Sequence, residues 1–523
     1  MMATLASTIS SDSPSTALII PATAKSKAFE VSYRQLYAEV QSFQQKLAGI
    51  GISPQAAVSI ALPNSYAFVI AFLAASWQRA IAAPLNPAYK QDEFEFYIDD
   101  LSSAVTLVPR GAFSQDAAAV RAAKKYKAAI AECYFDGQHV VLDIKDAGKL
   151  AGQGDKSVEQ SQPDDVALVL HTSGTTGRPK AVPLTHRNLT TTMRNIKASY
   201  ALSSNDRNLL VMPLFHVHGL LAGLLAPLYS SGSIIVPPRF SASEFWSAFT
   251  THNANWYTAV PTIHQILLRN PLPSPLPKIR FIRSCSSPLS PKVFHELEAK
   301  LHAPVLEAYA MTEAAHQMTT NPLPPAKRFP GSVGLGHGVE VAILNDAGSE
   351  VPRGKEGEIC IRGPNVTKGY LNNPSANASS FTSSGFFRTG DQGTMDAQGY
   401  IRITGRIKEL INKGGEKISP IEIDNLVASH PAVAEAVSFA IEDEVYGQDV
   451  GVAVVLKKGE ERGEKGEMGA EDVRDWVKRK AAKFKIPRKV YFTDVMPKTA
   501  TGKVQRRMVA KEMEGRERKT AKL

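Results

Sequence analysis

This 523-residue sequence contains few cysteines and no long apolar segment. Its three cysteines, Cys133, Cys285 and Cys360, lie far apart without any CxxC pair. That spacing indicates neither a disulfide framework nor a zinc site. Because no stretch approaches the roughly 18 apolar residues of a membrane-spanning helix, we expect no membrane span. No repeat of fixed period is visible, which argues against solenoids and propellers.

Targeting signals are also scarce, with one candidate at the C-terminal end. The N-terminal segment lacks the basic start and long apolar stretch of a secretory signal. The last three residues, Ala521, Lys522 and Leu523, have the small–basic–leucine pattern of the SKL-type peroxisomal signal. We therefore expect a protein of the peroxisomal matrix, with the cytoplasm as a second location, and a peroxisomal import receptor as a partner.

Positive charge exceeds negative charge, and the excess is unevenly distributed along the chain. The formal net charge is +10, and residues 484 to 523 hold 12 Lys and Arg against 4 Asp and Glu. A basic region of this kind suits nucleic acid, an acidic membrane surface or an anionic small substrate. Composition does not choose among these three partners.

Alternating strand and helix patterns predict an α/β fold. A helix is expected over 32–47, where Ser32 and Gln35 form a capping box. Strands and helices then alternate, for example in 57–62 and 104–108, which favours parallel strands with helices on both faces. The same rhythm returns over 208–309.

The pattern of predicted strands and helices changes in the last 200 residues. Short strands with Gly and Pro turns over 325–405 predict an antiparallel or barrel-like portion of the large lobe. A smaller α+β pattern follows, with a helix near 471–483. We place the domain boundary near Lys408, which gives domains 1–407 and 408–523.

The segment HTSGTTGRPKAVPLTH (171–186) follows an apolar strand, VALVL, and precedes a helical pattern. We therefore predict a strand-to-helix loop, of the kind that binds phosphate through backbone N–H groups, hydroxyls and lysine. Its spacing does not match a Walker A loop. A flexible surface turn would explain the glycines but not the clustered hydroxyls. The residues expected to contact phosphate are Thr172, Ser173, Gly174, Thr175, Thr176, Gly177 and Lys180.

Four further motifs follow this loop along the chain. They are EAYAMTEAAH (307–316), FFRTGDQG (386–393), GRIKELINKGGEKISPIEID (405–424) and PKTATGKVQRR (497–507). In this order and spacing, the motifs resemble the adenylate-forming superfamily of acyl-CoA synthetases, luciferases and peptide-synthetase adenylation domains. The resemblance covers nearly the entire chain. It implies a large N-terminal lobe that binds ATP and the acid, and a small mobile C-terminal domain.

The resemblance also implies roles for individual residues. Tyr309 would stack on adenine and Thr312 would contact the α-phosphate. Glu313 would hold Mg²⁺ against ATP, since carboxylate oxygen suits this cation. Asp391 would accept both ribose hydroxyls, and Arg406 would help to fix the sugar. The alternatives are a core position for Tyr309 and a turn position for Asp391.

Three more implied roles concern the C-terminal region. Lys503 would bridge the substrate carboxylate and the α-phosphate as negative charge develops, unless it is simply a solvated lysine. Lys408 would be the hinge on which the small domain turns between two reactions. Gly414 and Gly415 would let backbone approach the pantetheine arm of CoA.

The acid substrate is indicated by a second group of segments. PLFHVHGLLAG, WYTAVPTIHQIL, RFIRSCSSPL and GPNVTKGY resemble the oxalate-activating branch of the superfamily. A short dianion needs charged or polar groups in its pocket, because an unpaired buried carboxylate costs several kcal/mol. The residues expected to line this pocket are His216, Arg283, Ser284, Ser286, Ser287 and His316.

Alternatives remain for these pocket residues as well. Arg283 could face solvent or pair with an acid, and His216 could be a packed core histidine. His216 and His218 form an HxH pair, but a third metal ligand is not evident nearby.

The resemblance therefore implies an AMP-forming ligase with two steps. Oxalate and MgATP would give oxalyl-adenylate and pyrophosphate, and CoA would then displace AMP. The alternatives are another short acid such as malonate, a medium-chain fatty acid, or the loading of a carrier protein. A nucleic-acid-binding protein that uses the basic C-terminal region is an alternative from another class.

Overall fold

The computed structural model describes residues 4–24, 26–154, 156–172, 178–457, 468–499 and 504–520. In chain order, the helices are α1 (Tyr33–Gly49), α2 (Tyr66–Trp77), α3 (Gln91–Asp100), α4 (Ala118–Lys125), α5 (His186–Ser199), α6 (Ala226–Tyr229), α7 (Phe245–Thr251), α8 (Pro261–Arg269), α9 (Pro291–Leu301), α10 (Pro374–Ser380), α11 (Pro420–Ala428), α12 (Ala470–Lys478) and α13 (Arg506–Thr520). A π-helix (His218–Leu225) precedes α6. Within these described ranges, no helix is long and apolar enough to cross a membrane.

The strands, also in chain order, are β1 (Thr16–Ile20), β2 (Phe29–Ser32), β3 (Ala57–Ile60), β4 (Ile81–Pro84), β5 (Val105–Val108), β6 (Ala129–Phe135), β7 (Val140–Asp146), β8 (Val166–Thr172), β9 (Lys180–Thr185), β10 (Arg207–Leu209), β11 (Ser233–Ile235), β12 (Trp256–Ala259), β13 (Phe281–Ser284), β14 (Val305–Met311), β15 (His316–Thr320), β16 (Leu335–Gly336), β17 (Glu340–Leu344), β18 (Gly357–Arg362), β19 (Phe387–Met395), β20 (Ile401–Arg406), β21 (Ile411–Lys413), β22 (Glu416–Ile418), β23 (Val433–Asp443), β24 (Gly447–Leu456) and β25 (Lys489–Phe492).

Two large sheets form the body of the N-terminal lobe. One has the order β7-β6-β5-β3-β4-β8-β9, and the other has the order β16-β15-β14-β13-β12-β10-β11-β1-β2. Their central strands pair in parallel, as the alternating sequence pattern predicted. Helix α2 is buried along its whole length, as expected for a helix that is apolar on every side.

The first predicted helix illustrates how local sequence sets an element's start. Ser32 accepts a hydrogen bond from the backbone N–H of Gln35, and the Gln35 side chain accepts one from the Ser32 N–H. This reciprocal cap is the predicted capping box. The apolar side chains of Leu36 and Phe43 face the core. The helix is confirmed and runs two residues past its predicted end, to Gly49.

The prediction that the glycine-rich segment connects a strand directly to a helix is wrong. The apolar strand continues to Thr172 and forms a hairpin with β9, in which Thr172 pairs with Lys180. Helix α5 begins after this second strand, capped by Thr185. Pro183 obscured the strand in the sequence, but β9 is an edge strand, where proline is tolerated. The glycine- and hydroxyl-rich segment therefore joins two antiparallel strands.

The 325–405 region contains an antiparallel sheet in the order β17-β18-β19-β20. This arrangement is the antiparallel alternative predicted from its short strands. Its register places Asp391 on β19 directly beside Arg406 on β20. The sheet therefore fixes one pair of predicted site residues side by side.

The small C-terminal unit has its own sheet, β22-β21-β24-β23, with β25 beside β24. Strand β20 ends at Arg406 and β21 begins at Ile411, so the predicted boundary near Lys408 falls in the short connection between them. The predicted helix over 471–483 ends earlier, at Lys478. Beyond this end, Phe484 and Ile486 pack against the core of the unit.

Candidate active site

Tyr309, Asp391 and Arg406 form the first cluster of the site. The Tyr309 hydroxyl donates a hydrogen bond to one carboxylate oxygen of Asp391. Arg406 Nε lies 3.0 Å from the other oxygen. Burial, followed by the Asp391 charge, raises the pKa of Tyr309 well above its ordinary value. The Tyr309 hydroxyl therefore stays protonated and orients the carboxylate.

Glu313 anchors the second cluster, at the start of the glycine-rich segment. Its carboxylate accepts a 2.8 Å hydrogen bond from the Tyr370 hydroxyl and lies 3.5 Å from Thr172 Oγ1. Lys180 Nζ lies 4.6 Å from the centre of the Tyr370 ring. Burial, together with Glu313, raises the pKa of Tyr370. A buried carboxylate, a hydroxyl and a lysine thus meet where the sequence predicts phosphate binding.

Arg283 on β13 forms the centre of the third cluster and is fully buried. Its guanidinium donates to the Tyr200 hydroxyl at 2.8 Å, to Thr258 Oγ1 at 3.0 Å and to Gln317 Oε1 at 3.2 Å. All three acceptors are neutral. Throughout the described part of the chain, no carboxylate forms a salt bridge with Arg283. Both alternatives from the sequence, exposure to solvent and pairing with an acid, are thereby excluded for the described residues.

His218 and His316 lie beside this guanidinium and stack on each other. Their ring centroids are 5.2 Å apart with an interplanar angle of 24°. His218 contacts Ser286 Oγ at 3.0 Å and Thr258 Oγ1 at 2.6 Å. Burial and then the positive charge of Arg283 lower the pKa of both histidines well below the ordinary value. Both rings are therefore neutral near pH 7.

His316 is an unusual buried histidine. Neither of its ring nitrogens has a hydrogen-bond partner among the residues that the structure describes, although the side chain is fully buried. Ser284 Oγ, on the same strand as Arg283, is likewise buried without such a partner. Unpaired buried polar groups cost about 1–3 kcal/mol each. Both ring nitrogens of His316 and the hydroxyl of Ser284 could therefore form hydrogen bonds with an anionic or polar ligand.

The backbone that carries His316 is strained. Ala315 has φ 49° and His316 has φ 102°, both in the left-handed region that favours glycine. Such strain of about 1–3 kcal/mol per residue is found mainly at functional sites. The segment from Tyr309 to His316 contributes to all three clusters. One strand and one tight turn therefore align them.

The π-helix that starts at His218 presents its first residue to the pocket. Gly219 follows, and a Cβ at this position would lie 2.2 Å from the carbonyl oxygen of Pro213. The close approach requires glycine here. Short π-helical segments occur frequently at functional sites.

A small cavity of about 40 Å³ is lined by residues that neighbour the second and third clusters in the sequence, since Thr312 precedes Glu313 and Val217 precedes His218. Thr312 and His216, both predicted site residues, line it together with His171 and aromatic side chains. His216 is half-buried, and its Nδ1 accepts a 3.2 Å hydrogen bond from the His218 N–H. Ser287 lies half-buried next to Ser286, and it is Ser286 whose hydroxyl contacts His218.

The predicted CoA-contacting glycines lie in the turn between β21 and β22. Gly414 and Gly415 have φ values of 58° and 95°. The Gly414 N–H donates to the carbonyl oxygen of Tyr446 at 3.0 Å, and a Cβ at Gly414 would lie 3.0 Å from the Tyr446 ring. Lys408 is exposed in the connection between the two units. The roles assigned to these residues stay predictions.

Several predicted site residues lie outside the described residues. They are Ser173, Gly174, Thr175, Thr176, Gly177, Lys503, Ala521, Lys522 and Leu523. Tyr200, Thr258 and Gln317, in turn, belong to the third cluster although no motif in the sequence points to them. His218 has a signal in the sequence, the HxH pair with His216, but that pattern suggests a metal site rather than a substrate pocket. Among the described residues, no group of three or more His, Cys, Asp or Glu side chains could hold a metal ion by itself.

Two family models match most of this chain. Residues 13–371 match the AMP-binding enzyme family, and residues 422–503 match the AMP-binding enzyme C-terminal domain. The chain belongs to the AMP-binding enzyme family. This AMP-binding enzyme has the adenylate-forming fold that the motifs implied.

Individual relatives match this AMP-binding enzyme along nearly its whole length. An oxalate–CoA ligase of Saccharomyces cerevisiae is 46% identical, over 98% of this chain and 97% of the yeast protein. An oxalate–CoA ligase of Arabidopsis thaliana is 47% identical, over 92% of this chain and 93% of the plant protein. Among solved structures, ATP-bound MatB from Rhodopseudomonas palustris matches with a TM-score of 0.87 at 30% identity, covering 98% and 99% of the two chains.

Proposed function

We propose that this enzyme adenylates oxalate with MgATP and then transfers the oxalyl group to CoA, with release of AMP. The observation that carries the proposal is the fully buried Arg283, whose described partners are all neutral. A buried cation without a counter-charge is costly unless an anion completes the site. The distal carboxylate of a short diacid supplies that charge, and the two oxalate–CoA ligases named above support the choice of acid.

Oxalate also fits the remaining groups of the pocket. The neutral His316 ring offers one N–H donor and one acceptor, and Ser284 offers a hydroxyl. A carboxylate accepts hydrogen bonds from both an imidazole N–H and a hydroxyl. An alkyl chain would leave these groups and the Arg283 charge unsatisfied, which disfavours medium-chain fatty acids.

The first two clusters suit ATP. We assign adenine to Tyr309, the ribose hydroxyls to Asp391 and Arg406, and the phosphates to Thr172, Lys180 and the segment between them. Glu313 fits a magnesium ion, because Mg²⁺ binds through one or two carboxylates together with nucleotide phosphates. When bound there, Mg²⁺ neutralises charge on the phosphates.

The protein residues act in two successive steps. In the first, the substrate carboxylate attacks the α-phosphorus and pyrophosphate leaves. Thr312 and Lys503 stabilise the charge that develops on the α-phosphate and the carboxylate oxygen. In the second, the small domain has turned about Lys408, and Gly414 and Gly415 flank the pantetheine arm while the thiolate displaces AMP.

A direct product analysis tests this function. The protein is incubated with oxalate, MgATP and CoA, and the products are identified by mass spectrometry. We expect oxalyl-CoA and AMP in equal amounts. Omission of oxalate provides the control for background ATP hydrolysis. AMP without the thioester, or no AMP above this background, would exclude the proposal.

We also propose that Ala521, Lys522 and Leu523 direct the protein to the peroxisome through an import receptor. The sequence pattern of these residues supports this proposal. A tagged protein that lacks the three residues should be found in the cytosol with its ligase activity intact. An unchanged peroxisomal distribution would refute the targeting role.

A further inference from the structure

His171 and Asp100 form a hydrogen-bonded pair that none of the three clusters uses. His171 is the first residue of the glycine-rich segment 171–186 and the last but one of β8. Its Nε2 lies 2.9 Å from Asp100 Oδ2, at the last residue of α3. The His171 side chain is 4% exposed and that of Asp100 is 37% exposed. The pair thus links a buried imidazole to a carboxylate that reaches solvent.

Hydrogen bonding to Asp100 sets the tautomer of His171. A neutral imidazole beside a carboxylate carries its proton on the nitrogen that faces the carboxylate, here Nε2. Nδ1 then keeps a lone pair. The ring of Tyr97 packs against the imidazole at 4.7 Å between centroids and holds its orientation. His171 is therefore fixed as a hydrogen-bond acceptor on the side away from Asp100.

The small cavity described above brings His171 together with two other residues of the proposed site. His171 lines it together with Thr312 and His216. In the proposed function, Thr312 contacts the α-phosphate and His216 borders the acyl pocket. We place the carbonyl carbon of the adenylate between these two residues. A volume of about 40 Å³ holds roughly one small group, such as a water molecule or a thiol.

We propose that His171, oriented by Asp100, accepts the proton of the CoA thiol during thioester formation. The proposal rests on the CoA ligase function. The S–H bond breaks and the proton moves to Nδ1, while the sulfur electron pair forms the bond to the acyl carbon. The bond from that carbon to the phosphate oxygen breaks, and AMP leaves with its electron pair. Asp100 stabilises the imidazolium, which then releases its proton toward solvent.

The surroundings of His171 are consistent with a base that is neutral near pH 7. Burial lowers the pKa of His171, and the Asp100 carboxylate opposes that effect. Among the described residues that line this cavity or pack on the imidazole, the other titratable groups are Tyr89, Tyr97 and His216. The pKa values of Tyr89 and Tyr97 are raised, chiefly by burial, so both remain uncharged.

The test measures the two half-reactions of His171→Gln separately. Glutamine can still donate a hydrogen bond to Asp100 but cannot accept a proton. Pyrophosphate release without CoA should stay within about twofold of the original enzyme. The rate at which CoA consumes preformed enzyme-bound adenylate should fall by about 100-fold at pH 7, the lower end for general base catalysis.

The pH dependence separates a base from a purely structural role. A free thiol has a pKa near 8.5, so thiolate forms in solution above that value without help from the protein. The rate deficit of His171→Gln should therefore shrink to less than about tenfold by about pH 9.5. Asp100→Asn should show the same convergence, because an amide N–H facing Nε2 selects the other tautomer.

A matched control comes from an equivalent pair elsewhere. His139 lies 3.0 Å from Glu39, but its side chain is 67% exposed, and His139→Gln should leave both half-reactions unchanged. Equal loss of both half-reactions in His171→Gln would show that His171 only tethers the hairpin to α3. A selective loss that persists at high pH, or no loss, would also overturn the proposal. Failure of the original enzyme to make oxalyl-CoA would instead refute the proposed function.

Discussion

Replacement of Arg283 by methionine should abolish most activity toward oxalate without destabilising the fold. The methionine side chain is apolar and similar in length to that of arginine, but it lacks the charge and the hydrogen-bond donors. In the original protein, these donors bind Tyr200, Thr258 and Gln317. The positive charge is left for the second carboxylate of the substrate.

The size of the effect follows from this geometry. Loss of one member of a buried, hydrogen-bonded charge pair costs about 2–5 kcal/mol. Since each 1.4 kcal/mol corresponds to a factor of ten, kcat/KM for oxalate should fall about 30- to 4,000-fold. The free energy of unfolding should rise or stay nearly unchanged. The described partners of Arg283 are all neutral, so removing this buried charge relieves the cost of its desolvation.

Three measurements check this prediction. Steady-state AMP formation gives kcat/KM for oxalate, and thermal unfolding gives the melting temperature with and without ligands. Oxalate should raise the melting temperature of the original enzyme but not of Arg283→Met, since a ligand stabilises only the state it binds. ATP should stabilise both proteins equally. A variant that retains oxalate activity, or that loses its ATP response as well, would refute the reasoning.

Three further predictions concern other parts of the protein. Glu313→Gln should slow pyrophosphate release by about 10²- to 10³-fold, with partial recovery at high Mg²⁺ concentration; a loss of thioester formation alone would contradict this. Lys503→Ala should lose about as much in adenylation while sparing thioester formation from the adenylate, and Lys408→Pro should show the reverse, because a fixed φ hinders rotation; equal loss of both steps in Lys503→Ala would argue against domain alternation. Burial raises the pKa of Glu307 from an ordinary 4.5 to about 8, so its contribution to stability is full below about pH 4.5 and is lost as the pH rises through 8. Glu307→Gln should therefore flatten the fall in melting temperature across that interval, and a parallel fall in both proteins would disprove it.

Much of the fold follows from local sequence patterns. Buried strands such as β3 and β5 are short and mostly apolar, with one small hydroxyl residue each, and α1 has its cap and its apolar face within one short stretch of sequence. The sequence pattern does not indicate the hairpin β8–β9, because Pro183 and the polar ends of β9 are not typical of a strand. Only pairing with β8 makes that segment a strand.

The site could be predicted where one short segment carries the chemistry. The segment from Tyr309 to His316 is an example, because its residues are adjacent in the sequence. The surroundings of Arg283 could not be predicted in the same way. Tyr200 lies 83 positions away and Gln317 lies 34 positions away, and both are ordinary core residues by sequence alone. Their roles depend on which strands become neighbours.

Competition between acids tests the central claim, the selection of a short dianion by the pocket around Arg283, most directly. Equal concentrations of oxalate, malonate and hexanoate are supplied together with limiting ATP and CoA, and the three thioesters are quantified by mass spectrometry. Their ratio gives the relative kcat/KM values without any effect of enzyme concentration. We predict that oxalyl-CoA is the main product and that hexanoyl-CoA is near background. An excess of hexanoyl-CoA over oxalyl-CoA would contradict the account.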